Sequence, residues 1–169
     1  MLIARFASLA IAAALLHPLA VHAEDLMPAR VGFGAAIGGG TSQPSGSLRL
    51  PIRYKRFGLD LEFGAWATRS EDKKTDTWFW SGAASVFATW GDGPTRPIFG
   101  VRLGFQRAGV KVSDVQDVSN GVLAGFIFGA EHFIDKTLSV GAEARVTYAS
   151  PPGGAFYFDG FGVLRVYFE

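Results

Sequence analysis

Arginines and carboxylates recur at even spacings along several segments of this chain, and they are the side chains with which chemistry could be done. Arg49 and Arg53 are four positions apart, and Asp60 and Glu62 are two apart, so in an extended chain each pair lies on one face. Unpaired charges enclosed by protein would be prohibitively costly, which predicts that they pair with one another. We therefore predict an ion-pair network made of Arg49, Arg53, Lys55, Asp60, Glu62, Arg102, Glu131, Glu143, Arg145, Asp159 and Arg165.

Histidine is the other side chain that could carry acid–base chemistry. His17 and His22 lie in an N-terminal segment that we expect to be removed, which leaves His132 as the candidate base. A hydrolase of the Ser/His kind needs its nucleophile within hydrogen-bond reach of the base. No serine stands two residues after His132, where a motif like that of the lipid A deacylases would place it. We expect His132 to be an interfacial polar side chain, and we predict no catalytic, cofactor-binding or metal site.

The segments that must position these charges alternate apolar and polar residues. The alternation is clear in Ser47–Lys55, Leu59–Ala67, Phe99–Phe105 and Leu138–Tyr148, and weaker in Val31–Gly38, Trp80–Trp90, Val122–Glu131 and Phe156–Phe168. A period of two indicates a β-strand with one apolar face. Eight strands of about ten residues have the length that a tilted membrane-spanning strand requires. Aromatic residues on both faces of the last segment suggest a bulge near Asp159–Gly162.

The connections between these segments alternate in length. Arg56–Phe57, Gly91–Thr95 and Ile134–Thr137 are short, whereas Gly39–Ser45, Arg69–Thr77, Ala108–Asn120 and Ala149–Ala155 are longer and rich in turn-forming and charged residues. Short turns at one end and long loops at the other are typical of membrane barrels. The sequence therefore predicts an all-β fold, an eight-stranded antiparallel up-and-down transmembrane β-barrel whose long loops face outward.

A soluble, lipocalin-like calyx with its apolar face inward is the structural alternative. A calyx needs large solvated charges on its outer face, whereas the polar face here is mostly Gly, Ala and Ser with interspersed charges, as a narrow interior requires. Aromatic residues also cluster near both strand ends, as interfacial girdles do. The two predicted girdles are Tyr54, Phe57, Trp90, Phe99, Phe133, Tyr167 and Phe168 at the turn end, and Trp66, Trp78, Trp80, Phe105, Tyr148, Phe156 and Tyr157 at the loop end.

The charged lumen of such a barrel has two possible functions, a plug and a narrow ion path. The plug is favoured because eight strands leave just enough room for side chains. Counting residues back along both strands from a hairpin connection suggests two ion pairs of this plug. A turn at Arg56–Phe57 sets Arg53 opposite Asp60, and a pairing of Tyr148 with Phe156 sets Arg145 opposite Asp159.

The first 23 residues have the order of a secretory signal peptide. Arg5 precedes the apolar run Phe6–Leu16, and small residues surround a cleavage site that we place after Ala23. A membrane anchor is less favoured because it needs about 20 apolar residues and Pro18 interrupts the run. We expect residues 1–23 to be a cleaved signal peptide and residues 24–169 to be the barrel domain.

The net charge of the mature chain gives no sign of nucleic-acid binding. Without Arg5 the chain is formally neutral, so it lacks the excess of basic residues that such binding requires.

The end of the chain carries the most specific local feature. Leu164, Val166 and Phe168 alternate toward a near-terminal aromatic residue, although Glu169 departs from the usual terminal phenylalanine. With the eight alternating segments, this feature resembles the small outer-membrane barrels of the OmpA membrane-domain and OmpX type.

The resemblance implies an integral outer-membrane protein with a plugged lumen. It also implies contact with outer-membrane lipid and lipopolysaccharide, and a last strand recognised by the outer-membrane assembly machinery. We expect a monomer without cofactors that has a structural or surface-contact role and is not an enzyme. A narrow passive pore and a lipid A-modifying enzyme are the alternatives.

Overall fold

The computed structural model describes residues 29–40, 45–70, 75–112, 115–150 and 154–168. These residues form eight β-strands: β1 (Arg30–Gly40), β2 (Ser45–Tyr54), β3 (Phe57–Arg69), β4 (Thr75–Thr89), β5 (Thr95–Val112), β6 (Val115–Phe133), β7 (Leu138–Ala149) and β8 (Ala155–Phe168). Each strand pairs antiparallel with the next, and β8 pairs with β1, so the sheet closes into a barrel. The predicted eight-stranded up-and-down barrel is confirmed. The expected signal peptide lies outside the described residues.

No helix in the described ranges is long and apolar enough to cross a membrane.

The barrel carries its apolar residues on the outside and its charges on the inside. Outward-facing Phe33, Leu48 and Leu103 are 64%, 69% and 63% exposed, whereas inward-facing Arg49 and Glu131 are buried. The calyx alternative is therefore wrong, since its apolar residues would line the interior. A continuous apolar outer face is the surface that a bilayer covers and that water does not favour.

Two strands extend further than their apolar pattern predicts. The β5–β6 ladder runs without a gap from the pair Thr95 and His132 to the pair Val112 and Val115. Most of the predicted loop Ala108–Asn120 is therefore strand, and that prediction was wrong. Backbone pairing needs no apolar face, so the ladder continues beyond the apolar belt into a segment where Arg107 and Lys111 alternate with Ala108 and Val110.

The last strand is regular. β8 keeps one register with β1 from Phe168 to Asp159, and one register with β7 from Val166 to Ala155. The suggested bulge near Asp159–Gly162 was therefore wrong. The inward-facing Phe161 explains why aromatic residues occur on both faces of this segment, because it packs in a small apolar cluster inside the barrel.

The hairpin between β2 and β3 turns one residue earlier than predicted. Lys55 and Arg56 form the turn, and Tyr54 lies opposite Phe57 on the outward face. Lys55 has a positive φ of 52°, it is exposed, and its ammonium lies 5.5 Å from the centre of the Tyr54 ring. Its predicted place in the lumen was wrong, because a turn residue has no partner strand to hold it against the interior.

The hairpin registers decide which charges are directly opposed. Arg53 lies opposite Gly58, and Asp60 lies opposite Pro51, so the predicted direct opposition of Arg53 and Asp60 was wrong by two residues. An even shift keeps both side chains on the inner face, and the predicted ion pair forms, with Arg53 Nη1 3.2 Å from Oδ1 of Asp60. The predicted register at the other site, with Arg145 opposite Asp159, is confirmed.

Single cysteines test which face meets lipid, since the native chain has no cysteine. Leu103→Cys on the outer face of β5 should react with a lipid-soluble maleimide when the barrel is in vesicles. Ser85→Cys, whose serine is buried on the inner face of β4, should be protected under the same conditions. Mass spectrometry counts the label, and unfolding in urea should make both cysteines reactive. Labelling of residue 85 with protection of residue 103 would contradict the orientation.

Candidate functional site

The charged side chains meet at the centre of the lumen because each comes from the inner face of a strand. β2 and β3 supply four of them, and β5 to β8 supply the others at similar depth. The ion-paired residues are Arg49, Arg53, Asp60, Glu62, Arg102, Glu131, Glu143, Arg145 and Arg165. None of their side chains is more than 9% exposed.

Arg165 on β8 joins carboxylates from three other strands. Its Nη2 atom lies 2.7 Å from Oδ2 of Asp60 and 2.5 Å from Oε1 of Glu143. Its Nη1 atom lies 3.3 Å from Oε1 of Glu131. One guanidinium, with five N–H donors in a fixed plane, thus connects β3, β6 and β7.

Glu131 on β6 is fully buried and collects hydrogen bonds from several directions. Arg53 donates to Oε2 at 2.9 Å, and the hydroxyl groups of Ser139 and Tyr167 donate to Oε1 at 2.6 Å and 2.9 Å. A carboxylate with this many donors keeps its charge without water.

Glu62 on β3 is the centre of a second layer nearer the loop end. Arg145 on β7 reaches across the lumen and binds it through two contacts, Nη1 to Oε1 at 3.1 Å and Nη2 to Oε2 at 2.8 Å. Arg102 on β5 donates to Oε1 at 2.9 Å. Arg49 links the layers, because its Nη1 atom lies 2.8 Å from Glu143 and 3.4 Å from Asp60.

Aromatic and apolar side chains enclose this network along the barrel axis. The Arg53 guanidinium lies over the Phe87 ring at 4.0 Å, and the Arg145 guanidinium lies over the Phe161 ring at 4.0 Å. Toward the turn end, Phe133 and Tyr167 stack at 6.1 Å between ring centres. Rings above and below the charges lower the local dielectric, which strengthens the pairs and also makes any unpaired charge more costly.

Gly58 shows how tightly the lower layer is packed. A methyl group at this position would overlap the Arg53 guanidinium and the Phe87 ring. Only a residue without a Cβ lets both groups pass over the β3 backbone.

The network contains one more arginine than it has carboxylates in the described chain. Five arginines face four carboxylates, and the Nε atoms of Arg49, Arg102 and Arg145 are buried without a hydrogen-bond partner in the protein. Such groups usually bond to buried water. The described residues contain no group of three metal-ligating side chains. The contacts within the arrangement are ion pairs and hydrogen bonds between fixed side chains.

The ion-pair network contains the predicted Arg49, Arg53, Asp60, Glu62, Arg102, Glu131, Glu143, Arg145 and Arg165. Lys55 lies outside the lumen, at the turn. Asp159 lies opposite Arg145 near the loop end, and the Arg145 guanidinium binds Glu62 and Glu143. The side chains of Leu164, Val166 and Phe168 face outward, and their role in assembly stays a prediction.

Sequence reasoning missed two hydrogen-bond donors of the network, Tyr167 and Ser139. Tyr167 was expected in the turn-end girdle together with Phe133, but both side chains are buried in the lumen. Tyr167 is two residues after Arg165 and therefore shares its face, so strand phase was the signal that could have placed it. Ser139 was already on the polar face of its strand, but nothing in the sequence paired it with Glu131.

His132 lies apart from this network. Its Nδ1 atom is 2.7 Å from Oγ1 of Thr95, which is directly opposite on β5 at the turn end. The ring is buried, so the contact is a local polar pair near the short turns. A hydroxyl beside a histidine is the start of a catalytic arrangement only if a third group orients the ring.

A closed eight-stranded antiparallel barrel with an apolar outside and a charged inside defines a class, the small transmembrane β-barrels of outer-membrane type. Three solved structures share this fold. Neisserial surface protein A matches with a TM-score of 0.62 and 19% identity over 83% of this chain and 97% of its own. Ail, the attachment invasion locus protein of Yersinia pestis, matches with a TM-score of 0.52 and 11% identity over 83% and 96%.

The third is the N-terminal β-barrel domain of Pseudomonas aeruginosa OprF, with a TM-score of 0.51 and 17% identity over 83% of this chain and all of that one. No protein-family model and no curated protein sequence matches the chain. At sequence identities of 11–19% these matches show a similar fold and nothing more. The fold agrees with the resemblance of the sequence to the small outer-membrane barrels.

Arg165→Met tests whether the network stabilises the barrel. The change removes one arginine partner from each of three buried carboxylates, Asp60, Glu131 and Glu143, so we expect a loss of about 3–5 kcal/mol in the free energy of unfolding. Urea titration in detergent micelles, followed by the gel mobility of folded and unfolded protein, measures it.

Arg56→Met is the matched control, because Arg56 pairs with Asp92 at 3.2 Å on the exposed turn end. An exposed pair of this kind contributes about 0–1 kcal/mol. Equal losses in the two variants would show that the buried network has no special role in stability.

Proposed function

We propose that this protein is an integral outer-membrane barrel that is closed to ions and acts through its surface rather than through its lumen. The observation that carries the proposal is the lumen network, whose ion pairs run across the barrel from β3 to β7 and from β2 to β6. Eight strands leave room for little more than their own side chains. A lumen occupied by paired guanidinium and carboxylate groups offers neither a continuous water path nor a cavity for substrate.

The surface-contact part of the proposal rests on what remains outside the lumen. β4, β5 and β6 extend beyond the apolar belt at the loop end, where they form a sheet that stands clear of the bilayer. Loops and extensions of this kind carry function on a rigid barrel. Two structural neighbours have names that describe a surface role, Neisserial surface protein A and the attachment invasion locus protein.

An enzymatic role is less well supported. His132 and Thr95 lie opposite each other at the turn end, and His132 is on the other face of β6 from its neighbour Glu131, which faces the lumen. Lipopolysaccharide is in the outer leaflet, at the loop end. We therefore propose a non-enzymatic role for a monomer, with surrounding lipid and lipopolysaccharide as its immediate partners. The assembly machinery would recognise the outward-facing Leu164, Val166 and Phe168 during insertion.

Planar-bilayer recording tests the closed lumen. The wild type should insert without a steady conductance. Replacing both Arg53 and Glu131 by Ala removes a buried pair without changing the net charge and leaves space across the lower layer, so this variant should conduct.

The double variant Arg56→Ala with Asp92→Ala is the control, because it removes an exposed pair with the same charges and should remain silent. Insertion is verified separately by the heat-dependent gel mobility of the same samples. A steady conductance in the wild type would overturn the closed-lumen proposal and favour a narrow pore.

A further inference from the structure

The loop end of the outer face carries a basic and aromatic cluster that the lumen network does not use. Arg107 and Lys111 on β5 point outward beyond the apolar belt, and Trp78 and Trp80 on β4 lie beside them. We propose that this cluster binds the phosphate of a phosphorylated glycolipid in the outer leaflet. The inference rests on the proposed outer-membrane location and adds a specific lipid site to it.

The position of the cluster relative to the belt is the first argument. On the outward face of β5, Phe99, Val101, Leu103 and Phe105 are followed by Arg107. From Pro97 to Phe105 the tilted strand rises about 20 Å, close to the height of the apolar band of such barrels. Arg107 is therefore the first charged residue of β5 beyond the hydrocarbon region, at the depth of the lipid headgroups.

No carboxylate among the described residues pairs with Arg107. Three arginines in the described ranges are exposed, Arg56, Arg69 and Arg107. Arg56 and Arg69 have carboxylate partners, whereas Arg107 has no carboxylate within 4 Å among the described residues. Directly opposite it on β6 is Asn120, a neutral hydrogen-bonding side chain. Exposed guanidinium groups bind phosphate through two parallel hydrogen bonds.

Lys111 adds a second cation one step further out. Asp76 lies opposite Lys111, but its two carboxylate oxygens bind Arg69 at 2.6 Å and 3.1 Å. Within the part of the chain that the structure describes, Lys111 forms no salt bridge within 4 Å, and it attracts the Asp76 carboxylate at longer range. Four residues along a strand separate the two cations by about 13 Å, a span that suits the headgroup of a glycolipid with more than one phosphate.

The aromatic residues hold this arrangement in place. The Arg107 guanidinium lies 6.0 Å from the centre of the Trp78 ring, and Trp80 packs edge-on against Phe105 at 5.2 Å. The Trp78 indole crosses the β5 backbone at Gly109, where a methyl group would overlap it. Gly109 thus lets the ring lie between Arg107 and Lys111, and tryptophan is the residue that prefers the membrane interface.

Native mass spectrometry of the refolded mature chain tests the site, with diphosphoryl lipid A and its phosphate-free counterpart as probes. The wild type should retain the phosphorylated lipid more tightly than the phosphate-free one. Arg107→Gln should weaken retention of the phosphorylated lipid by about fivefold to tenfold, and Lys111→Gln by a smaller factor. Neither change should alter retention of the phosphate-free lipid. Arg56→Gln, at the opposite end of the barrel, is the matched control and should behave as the wild type.

Three results would overturn the proposal. They are equal retention by the wild type and Arg107→Gln, equal retention of the two lipids by the wild type, and an equal loss in Arg56→Gln. Membrane insertion is measured on the same samples by gel mobility. Loss of selectivity in an inserted barrel overturns the lipid site alone, whereas a chain that does not insert overturns the membrane location as well.

Discussion

Burial of charge inside a narrow lumen is the constraint on which the rest of the structure depends. Removing a guanidinium or a carboxylate from water costs several kcal/mol, and only close partners with good geometry offset that cost. Each network carboxylate contacts two or three arginines, and the partners come from six different strands. Such partners meet only when the sheet is closed and in register. Barrel closure and charge pairing therefore depend on each other, and a slipped strand would leave charges buried without partners.

The outer face follows from the same alternation. Because charged, polar and small residues take most positions on the inner side of the strands, the apolar residues occupy the outer side, and a closed barrel leaves no free backbone edge in the belt. In a bilayer, lipid chains contact this apolar surface, so it needs no further protein to shield it from water. With the closed interior that we propose, contact with other molecules would fall to the belt and to the sheet extensions beyond it, where Arg107 is exposed. The proposed surface role and the proposed lipid site both use that outer region.

Alternation predicted the faces well and the partners in part, since the predicted ion pair of Arg53 and Asp60 forms at 3.2 Å. The inner position of Arg53 and Asp60 survived a two-residue error in register, because an even shift does not change the face. The pairing of Arg145 with Glu62 could not be predicted, since β7 and β3 are not neighbours and only closure of the barrel brings them together. Lys55 was misplaced because the turn lies one residue earlier than counting suggested. The length of the β5–β6 hairpin was missed because backbone pairing continues where the apolar pattern stops.

A double-mutant cycle on Arg145 and Glu62 tests the central claim, that charges pair across the lumen. The two side chains belong to strands on different sides of the barrel, and two contacts of 2.8 Å and 3.1 Å join them. The free energies of unfolding of Arg145→Met, Glu62→Gln and the double variant would be measured by urea titration in micelles. The account predicts a double loss smaller than the sum of the single losses, by about 1–3 kcal/mol. Additive losses would contradict it, because they would mean that the two charges do not interact in the folded barrel.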